Sequence, residues 1–145
     1  MSTVSELSAA LADDFHELPE SARLELLLEF ADGLPELPPR YADHPELLER
    51  VEECQSPVYL FTEVVEGRVH VFLTAPKEAP TTRGFASILH SIVNDQPTAE
   101  VLNMNDDFPS QIGLTQLVSP LRINGMRGML RRIKRQVREK LADNS

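Results

Sequence analysis

The chain has one cysteine, Cys54, and no tryptophan among its 145 residues. A lone thiol excludes an intramolecular disulfide, a structural zinc site built on several cysteines, and a two-cysteine redox cycle within one chain. If Cys54 does chemistry, its second sulfur must come from another molecule. Long apolar runs are also missing. The longest spans only a few residues, far short of the roughly 20 a membrane-crossing helix needs. No membrane partner is therefore expected. Residues 1–11 have no basic stretch followed by an apolar one, as a secretory signal requires, so the expected compartment is the cytoplasm. There is no nucleophile elbow, phosphate loop or dinucleotide fingerprint. His16, His44, His70 and His90 fall on different predicted elements without ligand spacing, so no metal site is expected. Lys77, Lys134 and Lys140 stand in no Schiff-base context, and no resident cofactor is expected.

The net charge is −9, from 14 basic and 23 acidic residues. Its distribution is uneven. Residues 1–121 hold 6 basic and 21 acidic residues, whereas residues 122–140 hold 8 basic and 1 acidic. A chain this acidic does not bind nucleic acid through its whole surface, because phosphate neutralisation dominates that affinity. The basic stretch carries Met126, Leu130, Ile133, Val137 and Leu141 at helical spacing. Arg127, Arg131, Lys134, Arg135 and Arg138 fall largely on its other faces. It reads first as a solvated face opposite a core face. It also suits docking onto an acidic surface, either a partner's or the chain's own acidic half.

The length suits one domain over residues 1–145, and 41% apolar with 26% charged residues is a globular composition. Thr3 or Ser5 caps a helix from Val4 to Glu17, with Leu7, Leu11 and Phe15 four residues apart. Pro19 opens a second helix that Gly33 stops. Pro35, Pro38, Pro39 and Pro45 mark a connector. Residues 57–65 and 68–74 form a hairpin around Glu66-Gly67, and part of 49–53 adds a third strand. Thr81 or Thr82 caps a helix running to about Asn94. A short helix covers residues 98–102, a loop covers 106–113, and another short helix covers 114–118. Ser119-Pro120 restarts helix, Asn124-Gly125 breaks or kinks it, and from there a last helix runs to about Leu141. This order predicts an α+β fold of two layers: an antiparallel sheet of about three strands covered by helices.

Cys54 lies between the proline-rich connector and the first long strand, so it is placed in a loop at the sheet edge. Its neighbours Glu52, Glu53, Gln55 and Ser56 are polar, which argues against a core position and for a functional loop. The acidic neighbours disfavour a thiolate. Either a distant cation, such as an arginine, offsets them, or the thiol is activated only when a partner docks.

Four stretches together resemble the SufE family of small sulfur-acceptor proteins in iron–sulfur cluster assembly. They are Gly33-Leu34-Pro35-Glu36-Leu37, Cys54-Gln55-Ser56-Pro57-Val58-Tyr59, Arg83-Gly84-Phe85-Ala86, and Ser119-Pro120-Leu121-Arg122-Ile123-Asn124-Gly125 followed by Met129. The resemblance covers the chain from the second helix to the last. Two positions depart from the family pattern: Glu53 stands where the family usually has glycine, and Tyr59 where it has tryptophan. Residues 75–80 depart from its acidic pattern after the second strand.

The resemblance implies a SufE/NifU-like fold. It also implies a sulfur carrier that takes persulfide sulfur from a pyridoxal-phosphate-dependent cysteine desulfurase onto Cys54 and raises that enzyme's turnover. The pyridoxal phosphate then belongs to the partner, a cluster-scaffold complex is a further partner, and the chain is an accessory protein rather than a stand-alone enzyme. Glu53, Gln55, Ser56, Arg122, Asn124 and Gly125 become the loop-shaping or partner-binding residues. The competing reading is a regulatory module that binds a desulfurase or a rhodanese-type sulfurtransferase without carrying sulfur. A cysteine hydrolase or thiol peroxidase is a third, disfavoured because no histidine neighbours Cys54 in sequence.

Overall fold

Thr3 starts the first helix through a reciprocal cap. Its hydroxyl accepts from the Glu6 amide at 3.1 Å, and the Glu6 carboxylate accepts from the Thr3 amide at 3.1 Å. In the computed structural model, which describes residues 2–143, this helix is α1 (Val4–Glu17). It buries Leu11 and Phe15. Helix α2 (Glu20–Asp32) follows, with Pro19 as its cap rather than its first residue. The Phe15 and Phe30 rings stack at 6.1 Å and tie the two helices together. The proline-rich connector is ordered. It forms the short helix α3 (Pro39–Ala42) and a 3-10 turn over Pro45–Leu47.

The sheet has four antiparallel strands in the order β1 (Glu49–Arg50), β2 (Tyr59–Val65), β3 (Arg68–Thr74), β4 (Gln96–Pro97). The central pair is the expected hairpin. It turns at Glu66 and Gly67, both at positive φ (52° and 78°), as a two-residue hairpin turn requires. Alternation decides the faces. Leu60, Thr62, Val69, Val71 and Leu73 point to the core, and the next residues point away. The outer face is not bare: Tyr41 of α3 packs on Phe61 and Phe72 at 5.4 and 4.8 Å and hydrogen-bonds Glu63.

Helix α4 (Pro80–Val93) lies on β3 and against α2. Its start differs from the sequence expectation. Ala79 is the cap, Pro80 is the first residue, and no side chain caps it. Thr82 is instead buried. A preorganised proline φ starts this helix without a threonine cap. Gly84 lets α2 approach closely, since a Cβ there would meet the Leu27 carbonyl oxygen at 2.6 Å. Helix α5 (Thr98–Leu102) comes after β4, and a 3-10 turn over Phe108–Ser110 interrupts the predicted loop.

Residues 114–118 do not form a helix. They make one turn, with the Val118 amide donating to the Leu114 carbonyl at 2.9 Å. Pro120 biases the residue before it away from helical backbone, and a new helix begins there. The predicted break at Asn124-Gly125 is also absent: α6 runs without interruption from Pro120 to Asp143. The unfavourable propensity of Gly125, about 1 kcal/mol, is outweighed by burial of Ile123, Met126, Met129, Leu130, Ile133 and Val137 along one stripe.

The basic helix docks partly on the chain's own acidic half. Arg127 pairs with Asp107 at 3.2 Å, and Lys134, buried to 4% exposure, pairs with Asp106 at 2.6 Å. Among the described residues, no helix is long and apolar enough to cross a membrane.

Candidate functional site around Cys54

Cys54 lies at the tip of the connection from β1 to β2. The paired strands end at Arg50 and Tyr59. One step further, the Val51 amide donates to the Val58 carbonyl at 2.8 Å and closes the loop. Both valines are fully buried, so the loop's ends are pinned. Within it, the Cys54 amide donates to the Val51 carbonyl at 3.1 Å.

The loop placement follows the sequence expectation, but the thiol's environment does not follow from its polar neighbours. Cys54 is 7% exposed and joins the hydrophobic core cluster, whereas Glu52 and Gln55 face solvent. The backbone of so tight a loop sends adjacent side chains in different directions, so polar neighbours say little about the direction of one residue.

Helix α6 receives the loop. A Cβ on Gly125 would sit 3.0 Å from Cys54 Sγ. A Cβ on Gly128 would sit 2.6 Å from Glu53 Cδ and 2.9 Å from Glu53 Cβ. The two glycines, three residues apart, share a face of the helix. Arg132, four residues on, donates from Nη1 to the Glu53 carboxylate, and its Nε lies 3.0 Å from Glu49 Oε2 on β1. Glu49 is further held by Arg135 and accepts from Gln136 Nε2 at 3.1 Å.

A cavity of about 260 Å³ opens beside the thiol. Its lining brings together Cys54, Gln55, Ser56, Arg122 and Gly125 with buried Thr82 from the first turn of α4. Two sequence runs more than sixty residues apart thus meet at one place. Asn124 is half-buried on α6 and does not line this cavity, and Glu53 lies behind the loop against α6.

The electrostatics keep the thiol protonated. Burial, and then the charge of Glu53, pushes its pKa from 9.0 to about 11. The Arg132 and Arg50 charges oppose this by less. The thiol therefore feels Glu53 as expected, while the cations acting on it are Arg132 and Arg50. Arg122 stands on the cavity wall. A protonated thiol beside a cavity is a poor nucleophile until it is moved into water or brought near a cation. No group of three or more His, Cys, Asp or Glu side chains suited to a metal occurs among the described residues.

Arg132 and Gly128 are the site residues that sequence reading missed. Their signal was present in the spacing of 125, 128 and 132, which places two glycines and an arginine along one helical face. An expected break at Asn124-Gly125 hid it.

Comparisons with known proteins identify relatives of the whole chain. Residues 9–137 match the SufE family model, described as an Fe-S metabolism associated domain. An uncharacterized SufE-like protein of Mycobacterium tuberculosis is 47% identical over 143 residues, which covers 96% of this chain and 99% of that protein. An uncharacterized SufE-like protein of Rhizobium meliloti is 30% identical over 137 residues, covering 90% and 94%. The solution structure of a hypothetical protein from Thermus thermophilus superposes with a TM-score of 0.82 at 34% identity, covering 98% of this chain and 99% of that one.

Proposed function

The chain belongs to the SufE family, and from that membership we propose that it accepts sulfur on Cys54 from the persulfide of a cysteine desulfurase and stimulates that enzyme. The observation that carries the reading is the meeting of Cys54, Gln55 and Ser56 with Arg122 and Gly125 around one cavity. An inert core cysteine has no need of an open polar cavity at its side.

The chemistry is a thiol–persulfide exchange. The Cys54 thiolate attacks the outer sulfur of the donor's persulfide, the donor's S–S bond breaks, and the donor cysteine leaves as thiolate. A new S–S bond forms on Cys54. One sulfane atom moves, no external oxidant or reductant is needed, and the proton given up by Cys54 balances the donor thiolate. The pyridoxal phosphate that generates the donor's persulfide resides on the desulfurase.

The resting state suits a carrier. A thiol with pKa about 11 is almost wholly protonated near neutrality, so it resists stray oxidation, which follows thiolate character and exposure. Docking then moves the loop outward and raises the thiolate fraction. Exposed Arg122 at the cavity mouth is placed to meet the incoming persulfide anion.

The burial of Cys54 favours one other reading: a module that stimulates the desulfurase while its own thiol stays inside. Incubation with cysteine and a desulfurase, followed by intact mass measurement, separates the two. A gain of one sulfur on the wild type, absent in Cys54→Ser, supports the carrier. Stimulation that survives Cys54→Ser with no mass gain supports the regulator.

A further inference from the structure

We propose that Glu53, Gly128 and Arg132 form a latch that holds the Cys54 loop against α6, with Arg132 as the positioning residue that must release Glu53 before the thiol can leave the interior. This rests on the reading of Cys54 as sulfur acceptor and names what restrains it.

Three observations converge. The side chain of Glu53 fills the space that any residue larger than glycine would need at position 128: an added Cβ would lie 2.6 Å from its Cδ, 2.7 Å from Oε2 and 2.9 Å from Cβ. The carboxylate in that recess is bonded by Arg132 Nη1. The Nε of the same guanidinium lies 3.0 Å from Glu49 of β1, an ion pair without hydrogen-bond geometry, so the one charge faces both the loop tip and the sheet. The Arg132 and Glu53 side chains are 17% and 23% exposed, enclosed enough that salt screens the pair less than it screens surface charges.

Glu53 is bonded directly to Cys54 in the chain. If the loop swings out about its pinned ends at Val51 and Val58, Glu53 leaves both the recess and Arg132. The thiol, seated on Gly125, leaves with it. The recess, the ion pair and the seat all lie on one face of α6, at positions 125, 128 and 132. An ion pair that served only to stabilise the fold would need no glycine beneath it.

The test is the rate at which Cys54 in the intact chain reacts with a small alkylating reagent in the absence of any donor, with the unfolding free energy of each variant measured alongside. Arg132→Ala is expected to raise the rate tenfold or more, and Arg132→Lys, which keeps the charge but loses the Nη1 hydrogen bond to Glu53, by less. Gly128→Ala is expected to raise it as well, because the new Cβ expels Glu53. In a Glu53→Gly background, Gly128→Ala is expected to have no further effect, since the side chain it displaces is gone.

Rates that are unchanged in Arg132→Ala and Gly128→Ala overturn the latch. So do rates that rise only in proportion to each variant's unfolding constant, or additive effects of Gly128→Ala and Glu53→Gly. Sulfur loading from a desulfurase is read separately. If wild-type Cys54 takes up no sulfur, the acceptor reading fails while the alkylation rates still decide the latch.

Discussion

Replacing Cys54 with serine should change how the protein's stability depends on alkaline pH. The thiol pKa is 9.0 in an ordinary environment and about 11 in the folded chain. Below pH 9 the thiol is protonated in both states and its stabilising contribution is fully present. Between pH 9 and 11 the unfolded chain gives up this proton while the folded chain keeps it, so stability is lost as pH rises through the folded pKa. The two-unit interval corresponds to about 3 kcal/mol, lost at about 1.4 kcal/mol per pH unit. Tyr41 also titrates late, pushed up to about 12 by burial and then by its bond to Glu63. Its contribution is common to wild type and Cys54→Ser and cancels in their difference.

With no tryptophan in the chain, urea unfolding is followed by far-ultraviolet circular dichroism at pH 8, 9, 10 and 11. Serine does not titrate in this range. The stability difference between wild type and Cys54→Ser should therefore stay constant to pH 9. It should then shift against the wild type by about 2 kcal/mol by pH 11. Parallel curves across the whole range would refute the claim that the fold holds this thiol in an environment hostile to its anion.

Other perturbations follow from single contacts. Thr62 is fully buried with an unpartnered hydroxyl among the core side chains, so Thr62→Val should raise the unfolding free energy by about 1 kcal/mol in the same urea assay. Gly84→Ala should lower it by roughly 1–3 kcal/mol. The added Cβ meets backbone, the Leu27 carbonyl oxygen at 2.6 Å, and cannot be relieved by a rotamer change alone. Burial lowers the pKa of His90. Its contribution is present above 6.5 and fades as pH falls below that value, so His90→Gln should flatten the loss of stability on the acid side of pH 6.5.

The parts of the fold visible in the sequence are those where one period dominates. Leu11 and Phe15 in α1, and Leu60, Val69, Val71 and Leu73 in the hairpin, each repeat the spacing of their element and are buried as that spacing predicts. The two-residue strand at Gln96–Pro97 is too short to have a period; it exists because it pairs with Arg68 and Val69. The continuity of α6 through Asn124-Gly125 could not be read from local propensity. Packing along its buried stripe overrides the glycine, and Gly125 has a use visible only in three dimensions, as the seat of Cys54 Sγ.

The candidate site divides the same way. Cys54, Gln55, Ser56, Arg122 and Gly125 were marked by two motifs, and they meet at the cavity. Asn124, marked by the same run, does not reach it. Arg132 carries no motif. Its importance comes from facing Glu53 and Glu49 across the gap between helix and sheet, a pairing of residues 79 positions apart in the Glu53 case.

The most direct measurement is a single-turnover transfer with a desulfurase loaded once with sulfur, freed of cysteine, and mixed with an equal amount of this protein. The account predicts that each sulfur lost from the donor cysteine appears on the peptide containing Cys54, in equal amount and without added reductant. Sulfur that stays on the donor, or is released as sulfide without passing through Cys54, would contradict it.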